Sequence, residues 1–152
     1  MPATGLAGRC RWRRQRRRYE PTVIVVDASV LSVALGDDAA DGATARSRLR
    51  DQTVVAPELI DLEVVSVLRR QVAAGLMTPA RAELAVADLS ELPMRRATHR
   101  PLLFRCWELR HTVTPYDAAY IALAELLRIV LVTADGLLSR APGVRCEIDV
   151  IA

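Results

Sequence analysis

Not one of the 152 residues is lysine. A receiver domain needs a late lysine and an acidic pair before its phosphoacceptor, so that class is excluded. The stretch after the first apolar run, "DASVLSVALG", lacks the GxGxxG spacing that lets a backbone approach a dinucleotide pyrophosphate. His99 and His111 are the only histidines, and neither lies in HExxH or beside paired cysteines, which argues against a zinc site. Cys10, Cys106 and Cys146 are scattered, form no CxxC and are odd in number, so a reducing cytoplasm is the expected compartment. The longest apolar stretch, from Ala118 to Ala134, is interrupted by Glu125 and Arg128, and no membrane span is expected. Aromatics make up 4% of a chain that is 51% hydrophobic, so the core must be built from Val, Leu, Ala and Ile.

Charge is distributed unevenly. Residues 1–20 hold seven of the 21 arginines (Arg9, Arg11, Arg13, Arg14, Arg16, Arg17, Arg18) and one of the 18 acids. That leaves 14 arginines against 17 acids over residues 21–152, a net charge of −3 in a chain whose total is +3. The basic segment "RCRWRRQRRRYEP" has no apolar stretch of the kind a secretory signal carries. Blocks of like charge repel themselves. Residues 1–21 are therefore expected to be a disordered extension, with an RNA-phosphate-binding arm as the alternative, and residues 22–152 a single domain.

"TVIVVDAS", Thr22 to Ser29, reads as a strand buried on both faces that ends on Asp27. "TVVAP" (53–57) and "IVLVTAD" (129–135) read the same way, "LPMRRAT" as a weaker strand and "VRCEIDVI" as a closing edge strand. Helical patterns fall between them over 28–35, 43–50, 58–74, 79–90, 101–111 and 116–127, with Thr78 as a cap and Gly75 as a stop. Strands alternating with helices imply an α/β fold: a central parallel sheet of four to five strands with helices on both faces.

Four carboxylates follow from that arrangement. Asp27 and Asp135 end two buried strands, and parallel strands all leave a sheet at one edge, where ligands bind. Asp117 starts a helix, and Glu63 lies in a helix whose neighbours Leu59, Leu62, Val64 and Val67 are apolar. Each has an ordinary explanation: Asp27 as a helix cap, Asp117 as a macrodipole partner, Glu63 as a solvated residue. Together they are harder to dismiss. Two carboxylates about 5 Å apart repel by roughly 3 kcal/mol at an effective dielectric of 20. Arg69 and Arg70 could neutralise one or two. Otherwise a hard divalent cation must, and such ions take all-oxygen sites that need no His or Cys.

The motifs "VIVVDASV", "APELIDLEVVSVLRR", "TPYDAAYIALAE" and "LVTAD", in that order, resemble PIN-domain ribonucleases, specifically the toxin subunit of VapBC-type pairs. The resemblance implies a Mg²⁺- or Mn²⁺-dependent endoribonuclease with an RNA substrate, held in check by a small antitoxin and forming a homodimer. Asp27 and Asp117 would be direct metal ligands, Glu63 and Asp135 would act through water or a second ion, and Ser29 and Thr133 would be supporting hydroxyls. Two departures stand out: Ser66, where relatives often carry Asn, and the first 20 residues. A haloacid-dehalogenase-type phosphatase would want a second Asp at position 29, where this chain has Ser29. A PIN-like module that binds RNA or a partner without cutting would have no need of all four acids.

Overall fold

Residues 22–151 are described by a computed structural model; the expectations for residues 1–21, including Cys10, lie outside them. Five strands form one sheet: β1 (Val23–Val26), β2 (Thr53–Pro57), β3 (Arg95–Ala97), β4 (Leu131–Thr133) and β5 (Ile148–Val150). Their order is β3-β2-β1-β4-β5 and every pairing is parallel. Ile24, Val25 and Val26 are consecutive and all fully buried. Successive strand side chains point to opposite faces, so both faces of the sheet centre are covered.

The helices are α1 (Ala28–Gly36), α2 (Ala40–Leu49), α3 (Ile60–Ala73), α4 (Pro79–Glu91), α5 (Leu103–Glu108) and α6 (Pro115–Leu127). Helix α1 packs against α2, α3 and α4, whereas α5 packs on α6, which lies against β1, β2 and β4. Helix α6 carries a run of buried residues from Ala118 to Ala124, the densest contribution to the core. No helix among the described residues is long and apolar enough to cross a membrane.

Several boundaries move for identifiable reasons. Helix α2 starts at Ala40, earlier than expected, because Asp37 folds back to accept from the Ala39 and Gly42 N–H groups. Helix α3 starts later than Glu58. The Glu58 N–H donates to Ala97 O and the Leu59 N–H to His99 Nε2, so the β3 side of the sheet holds both residues before the helix can begin. Its far end is a Schellman closure: the Gly75 N–H bonds Val72 O, the Leu76 N–H bonds Gln71 O, and Gly75 takes φ 71°. The expected helix over 101–111 is a 3₁₀ turn at Arg100–Leu102 followed by the short α5.

A half-buried polar clasp fixes the C-terminal part to this frame. Arg105 on α5 forks onto Glu125 of α6 at 2.6 and 3.0 Å and donates to Gly143 O at 2.6 Å, while the Arg145 N–H also bonds Glu125. Burial alone would lift the Glu125 pKa, but the bonds from Arg105 and Arg145 outweigh it and hold the carboxyl below its ordinary range. A depressed carboxyl contributes stability above its ordinary pKa and loses it as pH falls. Glu125→Gln should therefore cost about 1.5–3 kcal/mol at neutral pH, lowering Tm by roughly 3–12 °C. The gap from wild type should narrow on acidification in a thermal melt series.

Candidate active site

The strand order reverses at β1: β2 and β3 lie on one side, β4 and β5 on the other. That switch point, at the carboxyl ends of the strands, is where open α/β sheets bind ligands. Asp27 follows β1 directly and Asp135 stands two residues after β4.

Asp27 is only 6% exposed and is aimed at by four donors. Its Oδ1 accepts from the Ser29 N–H at 2.6 Å, the Val30 N–H at 3.4 Å and the Ser29 hydroxyl; its Oδ2 accepts from the Thr133 hydroxyl. Asp27 therefore does cap α1, as a plain helix-start aspartate would. The two hydroxyls do more than cap. Ser29 Oγ accepts from the Ala134 N–H at 2.9 Å, and Thr133 Oγ1 from the Asp135 N–H at 2.9 Å. The result is a lattice joining the end of β1 to the end of β4, with Asp27 in its centre.

Glu63 sits in the first turn of α3, and its surroundings differ from the sequence expectation. Helix α3 is not apolar all round in a buried sense, since Leu62 is 76% exposed and only Ile60, Val64 and Leu68 are fully buried. Glu63 is half-buried because it faces α6, where Tyr120 donates its hydroxyl to Glu63 Oε2 at 2.5 Å. Burial raises the Glu63 pKa; the Tyr120 bond opposes this, and the charges of Asp117 and Asp27 raise it further. Glu63 thus shares its electrostatic surroundings with both aspartates. Tyr120 is itself pushed up by burial and by the same acids.

Asp117 forms a reciprocal cap with Thr114 at the start of α6. The Thr114 hydroxyl donates to Asp117 Oδ2 at 2.6 Å, and the Asp117 N–H donates to Thr114 Oγ1 at 3.2 Å. Asp117 and Asp135 line one groove, and Asp135 Oδ1 accepts from the Leu137 N–H at 2.8 Å. The four acids thus divide into Asp27, Glu63 and Asp117 within one electrostatic field, and Asp135 beside Asp117 along the groove.

Arg69 and Arg70 do not neutralise them. Arg70 donates to Ser66 on the exposed side of α3, and neither arginine joins an ion pair among the described residues. Ser66 is engaged there too, one turn from its own arginine. The arginine used nearby is Arg96, which forks onto Asp61 at 2.7 and 3.0 Å and accounts for that acid structurally.

The donor chemistry suits a hard cation: the side chains bonded to Asp27, Glu63 and Asp117 are all hydroxyls, and Glu63 is raised by burial and by two other carboxylates. Among the described residues, no three of His, Cys, Asp or Glu form a ready-made cage. A cation such as Mg²⁺, which keeps several waters, takes only one or two carboxylates directly and needs no such cage.

The model of the PIN domain matches residues 24–144. The chain belongs to the PIN domain family. This PIN domain is 40% identical over 128 residues to Ribonuclease VapC1 of Mycobacterium tuberculosis, covering 84% of this chain and 96% of that one. By structure it is similar to VapC20 of M. tuberculosis, a sarcin-ricin loop cleaving toxin, with a TM-score of 0.60 and 21% identity. That match covers 77% of this chain and 93% of VapC20. VapBC2 of Rickettsia felis, bound to a DNA fragment from its promoter, gives a TM-score of 0.61 at 11% identity. It covers 84% of this chain and 98% of that one, and these structural likenesses establish the fold.

Sequence reasoning passed over Tyr120 and Thr114. The signal for Tyr120 was present: a hydroxyl in a helix run with no other polar side chain from Ala118 to Ala124 must find a partner. A raised carboxyl favours the folded state at low pH, and that contribution is lost as pH rises through the raised value. Glu63→Gln removes the titration while keeping a partner for Tyr120. Its Tm relative to wild type should rise from about pH 4 to about pH 8, and calorimetry at a series of pH values measures it directly.

Proposed function

We propose that this PIN domain is a Mg²⁺- or Mn²⁺-dependent endoribonuclease, the toxin of a toxin–antitoxin pair acting in the cytoplasm. The observation that carries the reading is the convergence of Asp27, Glu63 and Asp117 at the switch point, with Glu63 raised in part by the other two. Its 40% identity to a ribonuclease supports the choice of RNA.

Asp27 and Asp117 would hold the cation directly, with Glu63 and Asp135 contacting its waters or a second ion. When bound, the cation supplies positive charge for a phosphate and acidifies a water for in-line attack at phosphorus. The chain's own part is positioning. Ser29 and Thr133 fix both oxygens of Asp27, Thr114 fixes Asp117, and Tyr120 fixes Glu63. Glu63, whose pKa is raised first by burial and then by Asp117 and Asp27, would face the waters of the cation.

A small antitoxin and a second copy of the chain complete the reading. The groove between α3 and α4, with Val65, Val72, Ala82 and Val86, suits the apolar face of a short helix. Leu103 and Phe104 on α5 are 58% and 87% exposed and suit a symmetric contact with a second copy.

Asp27→Asn should abolish cleavage of RNA while leaving a folded protein, and excess EDTA should abolish it in wild type. Full activity in EDTA, or an active Asp27→Asn variant, overturns the metal-nuclease reading. Expression of the chain alone in a bacterium should arrest growth, and co-expression of its antitoxin should restore it; equal growth curves would remove the toxin role.

A further inference from the structure

The groove lined by Asp117 and Asp135 is lined by basic residues as well. Arg110 and His111 line it from the turn after α5, and Arg140 from the 3₁₀ turn Leu138–Arg140. Both arginines are exposed. The ion pairs among the described residues take Arg48, Arg81, Arg96 and Arg105 and leave Arg110 and Arg140 unused. Arg110 is also held in place. Its guanidinium lies 4.8 Å from the Trp107 ring centroid, and its Nη1 donates to Trp107 O at 2.9 Å. A cation stacked on an aromatic ring has lost part of its rotamer freedom before any ligand arrives.

This placement answers an electrostatic difficulty. A body with net charge −3 and four acids at one edge repels a polyanion. Arg110 and Arg140, in no ion pair among the described residues, line the same groove as Asp117 and Asp135 and supply the opposite charge there. We propose that this groove is the track of the RNA strand, with Arg110 and Arg140 binding backbone phosphates beside the scissile bond. The assignment rests on the nuclease reading and extends it from the acids to the residues that seat the substrate. Trp107 acts by holding the Arg110 guanidinium.

The test measures binding and turnover separately. Binding of a short single-stranded RNA is followed over a salt series in the Asp27→Asn background, where the strand stays intact. Adding Arg110→Gln and Arg140→Gln together should lower the slope of log K against log salt by roughly 1.4, about 0.7 for each lost phosphate contact. Arg110→Lys should keep most of the slope. In the otherwise native protein the double variant should raise KM several-fold with little change in kcat, the pattern of lost uniform binding. Arg95→Gln, on the edge strand β3, is the control for a diffuse charge effect. An unchanged slope and KM in the double variant overturn the proposal, as does an equal drop with Arg95→Gln. A native protein that binds RNA with the expected slopes but never cuts it keeps the track and removes the nuclease reading.

Discussion

Strand β1 is paired in parallel on both flanks, with β2 on one side and β4 on the other. Parallel pairing obliges all of these strands to run out at one edge, and the chain must leave each by a turn into a helix or loop. Residues just past β1, β2 and β4 are therefore neighbours whatever their separation in sequence. Three of the four acids depend on this: Asp27 and Asp135 by following strands, Glu63 by following β2 through the first turn of α3. Asp117 joins them from α6, which lies against β1, β2 and β4: its charge acts on Glu63, and it lines one groove with Asp135.

Gathering carboxylates is destabilising, and the molecule manages the repulsion unequally. Asp27 receives four donors, Asp117 one hydroxyl and Asp135 a backbone N–H, whereas Glu63 has only the Tyr120 hydroxyl against burial and two like charges. Elsewhere in the fold acids are paired outright, Asp61 with Arg96 and Glu125 with Arg105. Arginine is abundant, yet none sits on Asp27, Glu63, Asp117 or Asp135 among the described ion pairs. These four acids are met by hydroxyls and backbone N–H groups in place of a guanidinium.

The strands were legible because burial on two faces leaves an unbroken β-branched run. Thr53–Pro57 matches β2 to the residue, and Asp27 and Asp135 stood out as charges ending such runs. Helix caps that use one local residue were legible too: Thr78 accepts from the Arg81 N–H as its position before Pro79 implied. The shared strand edge could be read, but not which particular side chains meet across distant segments. His99 delaying the start of α3, Arg96 claiming Asp61, and Tyr120 reaching Glu63 each need the strand order, and local pattern carries no information about which strand lies beside which. Arg69 and Arg70 were plausible partners only by nearness in sequence, and the helix turns them to the exposed side.

The lattice around Asp27 also sets an order of events during folding. Asp27 and Thr133 are 106 residues apart, and β4 is the fourth of five strands among the described residues. A chain made only as far as α6 holds Asp27 but neither Thr133 nor Asp135. Contacts of such long sequence separation form slowly, because loop closure precedes the reward. The lattice therefore closes only once β4 has joined β1, and a chain cut before β4 carries the first three acids without the strand that fixes Asp27.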